Sequence, residues 1–359
     1  MRINESFTEV PMTESELRLR QLTNQYLITP ADKRTVLRGL NGVQAQFMTN
    51  ALHSMKLRCS DYTPETAADG LVKNWTIRGT VHVFHESDLA LYKHCSHGSD
   101  YCRNEWYGYH NRFTGEVMLT PERQKELSEV ILNSLQNGCR TREELKQICR
   151  DNGMTLPEEE CMFDQWGGGI RDLCERGFMN YVVQEKKAYS LAPPFTPIPE
   201  EEANLEIAQR YFTNLAPATI HDAMYYFHTT GEQVKSWLKQ LPVTSAECQG
   251  RTYYWIDNGR SYDKSVPDCI FLAGFDQLLL AYQKTESLYL PQEHLRKIFN
   301  LAGIVNPAIL LYGRIAGRWQ KKGSRLNLMM FAESSSDDRR IIAEEAEYLW
   351  NDLRKIEWM

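Results

Sequence analysis

Leu40-Asn-Gly-Val-Gln-Ala-Gln46 sets two amide side chains two positions apart, directly after a basic amphipathic segment. Neighbours on one face of a helix lie three or four residues apart, so this spacing does not suit a helical face. In extended backbone, by contrast, the i and i+2 side chains point the same way. Gly42 is placed to end the preceding helix in the left-handed conformation that glycine tolerates, leaving Val43 to Gln46 to cross a short turn. Gln44 and Gln46 then converge on one small object. An amide offers one acceptor oxygen and two donor hydrogens, so the pair can hold and orient a water without taking its proton. On spacing alone, two solvated turn glutamines are the commoner arrangement, because glutamine is mostly exposed.

Working outward, residues 14–42 read as two helical segments, Glu14 to Gln25 and a Pro30-marked helix running to Gly42, made basic by Arg18, Arg20, Lys33, Arg34 and Arg38. A short helix around Asn50 to Leu57 follows the glutamine pair, and Thr63-Pro64 introduces another to about Val72. Asn74 to Phe84 alternates like a hairpin broken at Gly79. The order repeats further on. Thr120-Pro opens a helix to about Asn137, Thr141-Arg-Glu-Glu144 carries a capping-box pattern, and Met162 to Arg176 supplies a third helix before two strands within 178–191. Gly167-Gly-Gly169 lacks the pattern of a phosphate loop and reads as a loose connection. Ala192-Pro-Pro-Phe-Thr-Pro-Ile-Pro199 is the clearest linker. A third helical triplet at 200–214, 218–227 and 231–241 precedes a β-rich stretch from Tyr253 to Met330 and a closing helix from Ser336 to Arg354.

The chain has 359 residues of ordinary globular composition, enough for two or three domains. Nine cysteines without a C-x-x-C pair, with no apolar leader and no long apolar run, point to a reduced cytoplasmic protein that does not enter a membrane. A net charge of −6 argues against a protein that coats DNA nonspecifically, because that affinity comes from neutralising phosphates. It leaves room for a local positive groove.

Four blocks, Leu40 to Gln46, Trp75-Thr-Ile-Arg-Gly-Thr-Val-His82, Gly274-Phe-Asp-Gln-Leu-Leu-Leu-Ala-Tyr282 and Leu311-Tyr-Gly-Arg-Ile-Ala-Gly-Arg-Trp319, resemble the AlkZ/YcaQ superfamily of winged-helix DNA glycosylases in order and spacing. The resemblance spans residues 16 to about 320. Its sharpest element is Gln-x-Gln, which resembles the AlkZ branch; the YcaQ branch has aspartate where this chain has Gln46. It implies an α+β fold of tandem winged-helix domains in a C shape with a C-terminal β-barrel-like region. The expected segments are 1–115, 116–199, 200–250 and 251–359. One departure is Ala223-Met-Tyr-Tyr-Phe-His228, where the family has a tryptophan-rich helix.

The resemblance also implies an activity: a monofunctional DNA glycosylase, without metal or cofactor, acting as a monomer on double-stranded DNA that carries alkylated purines. Bulky N7-alkylguanine and interstrand crosslinks made by natural-product toxins are the substrates it suggests, with Gln44 and Gln46 positioning the water. Expected DNA contacts are Arg34, Arg38, Arg78, His82, Arg314, Arg318, Lys321 and Lys322. His82 matches a histidine on the family's first wing. The run from Arg314 to Lys322 has no acidic residue in it and follows a tight strand turn, a shape suited to a DNA groove. Residues 82–110 hold five of the nine histidines, with Cys95 and Cys102, but His94-Cys95-Ser-His97 lacks the spacing of common zinc motifs.

The residues constrain the chemistry independently. Hydrolysis of an N-glycosidic bond needs a departing base, stabilisation of a cationic sugar and a water on its opposite face, and a carboxylate commonly activates that water. A neutral amide pair only orients it. The lesion must then bring its own activation, as a cationic N7-alkylated guanine does. The competing class is a non-enzymatic winged-helix DNA-binding protein such as a transcription regulator.

Overall fold

The structure, a computed structural model, describes residues 11–93, 106–111, 113–164 and 167–359. It divides into two compact units, Met1–Ala67 with Ala208–Met359, and Ala68–Ile207.

The first unit opens with the helix Glu14–Asn24, started by a capping box in which the Thr13 hydroxyl accepts from the Glu16 amide at 3.2 Å and Glu16 accepts from the Thr13 amide at 2.7 Å. Its inward face carries amides as well as leucines. Gln21 donates to the Pro217 carbonyl at 2.6 Å and Asn24 to the Ala216 carbonyl at 2.8 Å, tying the helix to a segment nearly two hundred residues away. The helices Lys33–Gly39 and Met48–Arg58 flank the glutamine loop, and Ile220–Phe227 and Gly231–Gln240 follow later in the chain. Val243–Cys248 and Arg251–Ile256 pair as a hairpin whose two turn residues, Gln249 and Gly250, both have positive φ, at 49° and 72°.

The strands Cys269–Leu272, Ala308–Leu311, Arg314–Lys322, Arg325–Met330 and Lys355–Trp358 form one sheet in chain order. All neighbours are antiparallel except the last pair, which is parallel. Ile342, Ala346 and Leu349 of the helix Ser336–Leu349 pack on Phe271, Ile309, Leu326 and Leu328 of this sheet. The expected barrel is corrected here: among the described residues the first and last strands do not pair, and the sheet is open. The closing helix also stops at Leu349 rather than Arg354, because the chain beyond it turns back to pair Lys355 with Arg325.

In the second unit, Leu71–Trp75 and Val81–His85 form the expected hairpin, with Gly79 at φ 64° in its turn. Met179–Tyr181 adds to Leu71–Trp75, and Ala188–Leu191 and Arg140–Thr141 continue the sheet. The helices Pro121–Leu135, Arg142–Asp151 and Gly168–Glu175 bury Leu127, Ile131, Leu145, Cys149 and Leu173 in one core. Thr141 and Glu144 make the anticipated capping box.

Three local expectations fail. Residues 64–70 form turns instead of a helix, and Leu71 is already strand. The helix expected from Met162 to Arg176 is replaced by Leu156–Met162 and Gly168–Glu175. Two glycines of the triplet are closely packed: a Cβ on Gly168 would sit 2.4 Å from the Cys161 carbonyl, and one on Gly169 would sit 2.5 Å from the Met162 sulfur.

Candidate functional site

The glutamine loop forms as its sequence demands. Asp32 caps the helix Lys33–Gly39 by accepting from the Thr35 amide at 2.9 Å. The helix ends through two successive left-handed residues, Asn41 at φ 56° and Gly42 at φ 80°, with the Gly42 amide donating to Leu37 O at 2.8 Å. Extended backbone follows at Val43–Gln44. Val43 and Ala45 are 2% and 0% exposed, whereas Gln44 is 6% exposed and Gln46 lies open. Gln44 is thus buried like its apolar neighbours, and of these four residues Gln46 alone is exposed.

A second motif fixes this loop from behind. Gln277, wholly buried, donates through Nε2 to the Gly42 carbonyl at 2.5 Å. Gly274 is required there by space, because a Cβ would stand 2.8 Å from Asn50 Nδ2 and 3.0 Å from the Val305 carbonyl. Phe275, at φ 57°, stacks on Phe47 with ring centroids 5.8 Å apart. Phe47 is the residue after Gln46 and is 41% exposed.

Asp276 is the carboxylate that the sequence places beside this motif, and it is fully engaged. Arg58 grips it at both oxygens, NH1 to Oδ2 at 2.9 Å and NH2 to Oδ1 at 2.6 Å. Ser54 donates to Oδ2 at 3.2 Å and the Leu278 amide to Oδ1 at 3.0 Å. Arg58 and Asp276 side chains are both 0% exposed. Every strong acceptor position of Asp276 is thus taken, which makes it a structural anchor and removes it as a hidden general base. Sequence reasoning missed Arg58, since nothing local distinguishes it from any helical arginine.

The expected DNA contacts fall in different settings. Arg34 is exposed on the helix Lys33–Gly39, and Arg38 is half-buried one turn later. Arg314 is open, 3.7 Å from Glu14, and Lys322 is open at the far end of the same strand. Arg318 donates from Nε to the Met329 sulfur at 2.9 Å. A bulge at Ala316 puts Arg314 on the same face of the strand as Lys321, opposite Arg318 and Lys322, and the Lys321 ammonium binds Asp352 and the Gly323 carbonyl, each at 2.7 Å.

Arg78 lies half-buried in the hairpin turn of the second unit. His82 is 0% exposed, with Nδ1 3.0 Å from the Thr80 carbonyl and 3.1 Å from the Thr76 hydroxyl. Burial, reinforced by Arg78, holds its imidazole down to about 3, so it is neutral. A buried neutral ring offers no surface to a phosphate, and His82 is withdrawn as a DNA contact.

His94, Cys95, His97 and Cys102 lie outside the described residues, and among the described residues no three His, Cys, Asp or Glu side chains cluster as a metal site would require. No helix among the described residues is long and apolar enough to cross a membrane.

The family model of the AlkZ-like DNA glycosylases matches residues 37–351. The interstrand DNA cross-link repair glycosylase of Streptomyces sahachiroi is 24% identical over 332 residues, covering 86% of this chain and 88% of that protein. The solved structure of Streptomyces sahachiroi DNA glycosylase AlkZ superposes with a TM-score of 0.76 at 21% identity, covering 98% of this chain and 100% of the other. A match across most of the chain, on a fold shared from end to end, sets aside the non-catalytic regulator: the protein belongs to the AlkZ-like DNA glycosylase family and is a DNA glycosylase.

Proposed function

We propose that this glycosylase hydrolyses the N-glycosidic bond of cationic alkylated purines in duplex DNA, chiefly bulky N7-alkylguanine. Interstrand crosslinks built on such adducts are included, in the repair of alkylation damage or in self-resistance to the toxins that cause it. Gln44 and Gln46 orient the attacking water. Arg34, Arg38, Arg78, Arg314, Arg318 and Lys322 hold the phosphate backbone, and Lys321 joins them by exchanging Asp352 for a phosphate. The protein works as a cytoplasmic monomer. Its helical triplets with hairpins, at 1–115, 116–199 and 200–250, act as tandem winged-helix units that, with 251–359, form a C around the duplex.

The observation that carries this reading is the contrast between a neutral amide pair, Gln46 exposed with Gln44 buried two residues before it, and a neighbouring carboxylate sealed by Arg58. Without a free base at the water, the leaving group must supply the driving force. A guanine alkylated at N7 does so, because it departs as a neutral purine. The Streptomyces sahachiroi relative, named for interstrand cross-link repair, agrees with a bulky substrate.

Single-turnover release from one duplex carrying N7-methylguanine, a bulky N7 adduct, 8-oxoguanine or uracil in turn tests the proposal. Release of both N7 adducts without the neutral lesions is expected. Equal release of uracil would overturn it.

A further inference from the structure

Within the first unit, a cavity of about 690 Å³ lies against the helix that begins just after Gln46, lined by Thr49, Asn50 and His53 of that helix and by Trp319, Asn327 and Trp350, among others. One wall is an aromatic cluster. His53 stacks on Trp350 with centroids 5.7 Å apart at 18°, and Trp319 stands 5.0 Å from His53 and 5.1 Å from Trp350. The wall is held rigidly: Trp319 Nε1 donates to the Leu272 carbonyl at 2.9 Å, and His53 Nε2 lies 2.6 Å from the Phe271 carbonyl. Asn327 Oδ1 is enclosed without a hydrogen-bond partner, an acceptor awaiting a donor.

We infer that this cavity receives the aromatic substituent of an N7-guanine adduct, with the reacting nucleotide at Gln44 and Gln46 and its substituent against Trp350 and His53. The inference rests on the proposed reaction. At about 1.5 Å of rise per residue, His53 lies roughly 7 to 8 Å along the helix axis from Met48, within reach of a group extending from a base at the glutamine pair. Volume argues against a flipped base as the occupant. An extruded base is gripped in a snug pocket, whereas this space falls in the range of roughly 300–1,000 Å³ that holds drug-sized ligands. Burial holds His53 down to about 4, so the wall meets the substituent as a neutral stacking surface.

The test compares kcat/KM on duplexes carrying N7-methylguanine, N7-benzylguanine or N7-cyclohexylmethylguanine, for the wild type, Trp350→Leu and Met359→Trp. The cyclohexylmethyl group matches benzyl in bulk but cannot stack. The wild type should favour benzyl over cyclohexylmethyl, and Trp350→Leu should lose about three- to tenfold on benzyl alone while methyl is unchanged. Met359 lines the cavity at 65% exposure, so its replacement by tryptophan obstructs the space without disturbing a core, and should slow both bulky substrates alone. Unchanged ratios between benzyl and methyl in both variants would overturn the inference, even if Trp350→Leu folds poorly. If the wild type releases none of the three bases, the reaction itself is misread. Quenching of tryptophan fluorescence then decides the cavity: stronger quenching by the benzyl than by the methyl duplex, abolished in Trp350→Leu, upholds it, and equal quenching overturns it.

Discussion

The glutamine loop and the Arg58–Asp276 pair are joined by Gln277 yet handle polarity in opposite ways. Asp276 and Arg58 are charged, sealed from water and saturated by one another and by Ser54 and the Leu278 amide. Gln44 and Gln46 are neutral, the first buried and the second exposed. Charge here serves to lock the backbone behind the site. In the proposed mechanism the chemistry is left to groups that cannot ionise, and the two roles are separable by mutation.

The largest effect should come from breaking the lock. Asp276→Asn leaves a buried guanidinium without its counter-charge and should destabilise the fold by about 3–5 kcal/mol, read as a shift in the denaturation midpoint. An unchanged midpoint would mean the pair is not the anchor described. Gln44→Ala or Gln46→Ala should leave that midpoint in place. Each should slow single-turnover release of N7-methylguanine about tenfold or more, a barrier increase on the order of 1–3 kcal/mol, with DNA affinity nearly unchanged. If stability falls and rate does not, the two regions have been assigned the wrong way round.

His53 sharpens the comparison through pH. Burial lowers its pKa from 6.5 to about 4, against a weaker upward pull from its bond to the Phe271 carbonyl. Its contribution to stability is therefore whole above pH 6.5 and is lost as pH falls to about 4, because the unfolded chain takes up the proton first. His53→Phe should flatten the stability curve across that window, and a curve parallel to the wild type would contradict it. The smallest effect concerns DNA. Neutralising Arg314 and Lys322 should each reduce the slope of log affinity against log salt by about 0.9, alike on unrelated sequences. Lys321, already paired with Asp352, should do less.

Local chemistry was legible where it was self-contained. The capping residues at Thr141, the turn at Gly79 and the helix stop at Gly42 all follow from the side chains at those positions. The extended backbone at Val43–Gln44 after Gly42 followed from spacing. What the sequence concealed depends on distant partners. Leu71 extends because it pairs with His85, and Asn74 in the same strand is buried with its amide bonded to Asn180 and to the carbonyls of Cys174 and Met179. Lys355–Trp358 becomes a strand only beside Arg325–Leu328. The engagement of Asp276 is hidden because its partner lies 218 residues earlier, and His82 could be offered to DNA because a wing position does not announce its burial.

The most direct measurement of the central claim is single-turnover release by the wild type and by Gln46→Ala from matched duplexes containing N7-methylguanine or uracil. The account requires prompt release of N7-methylguanine, its slowing by about tenfold or more in the variant, and no release of uracil by either protein. Efficient uracil release, or a Gln46→Ala variant as fast as the wild type, would contradict an amide-oriented water acting on a lesion that supplies its own charge.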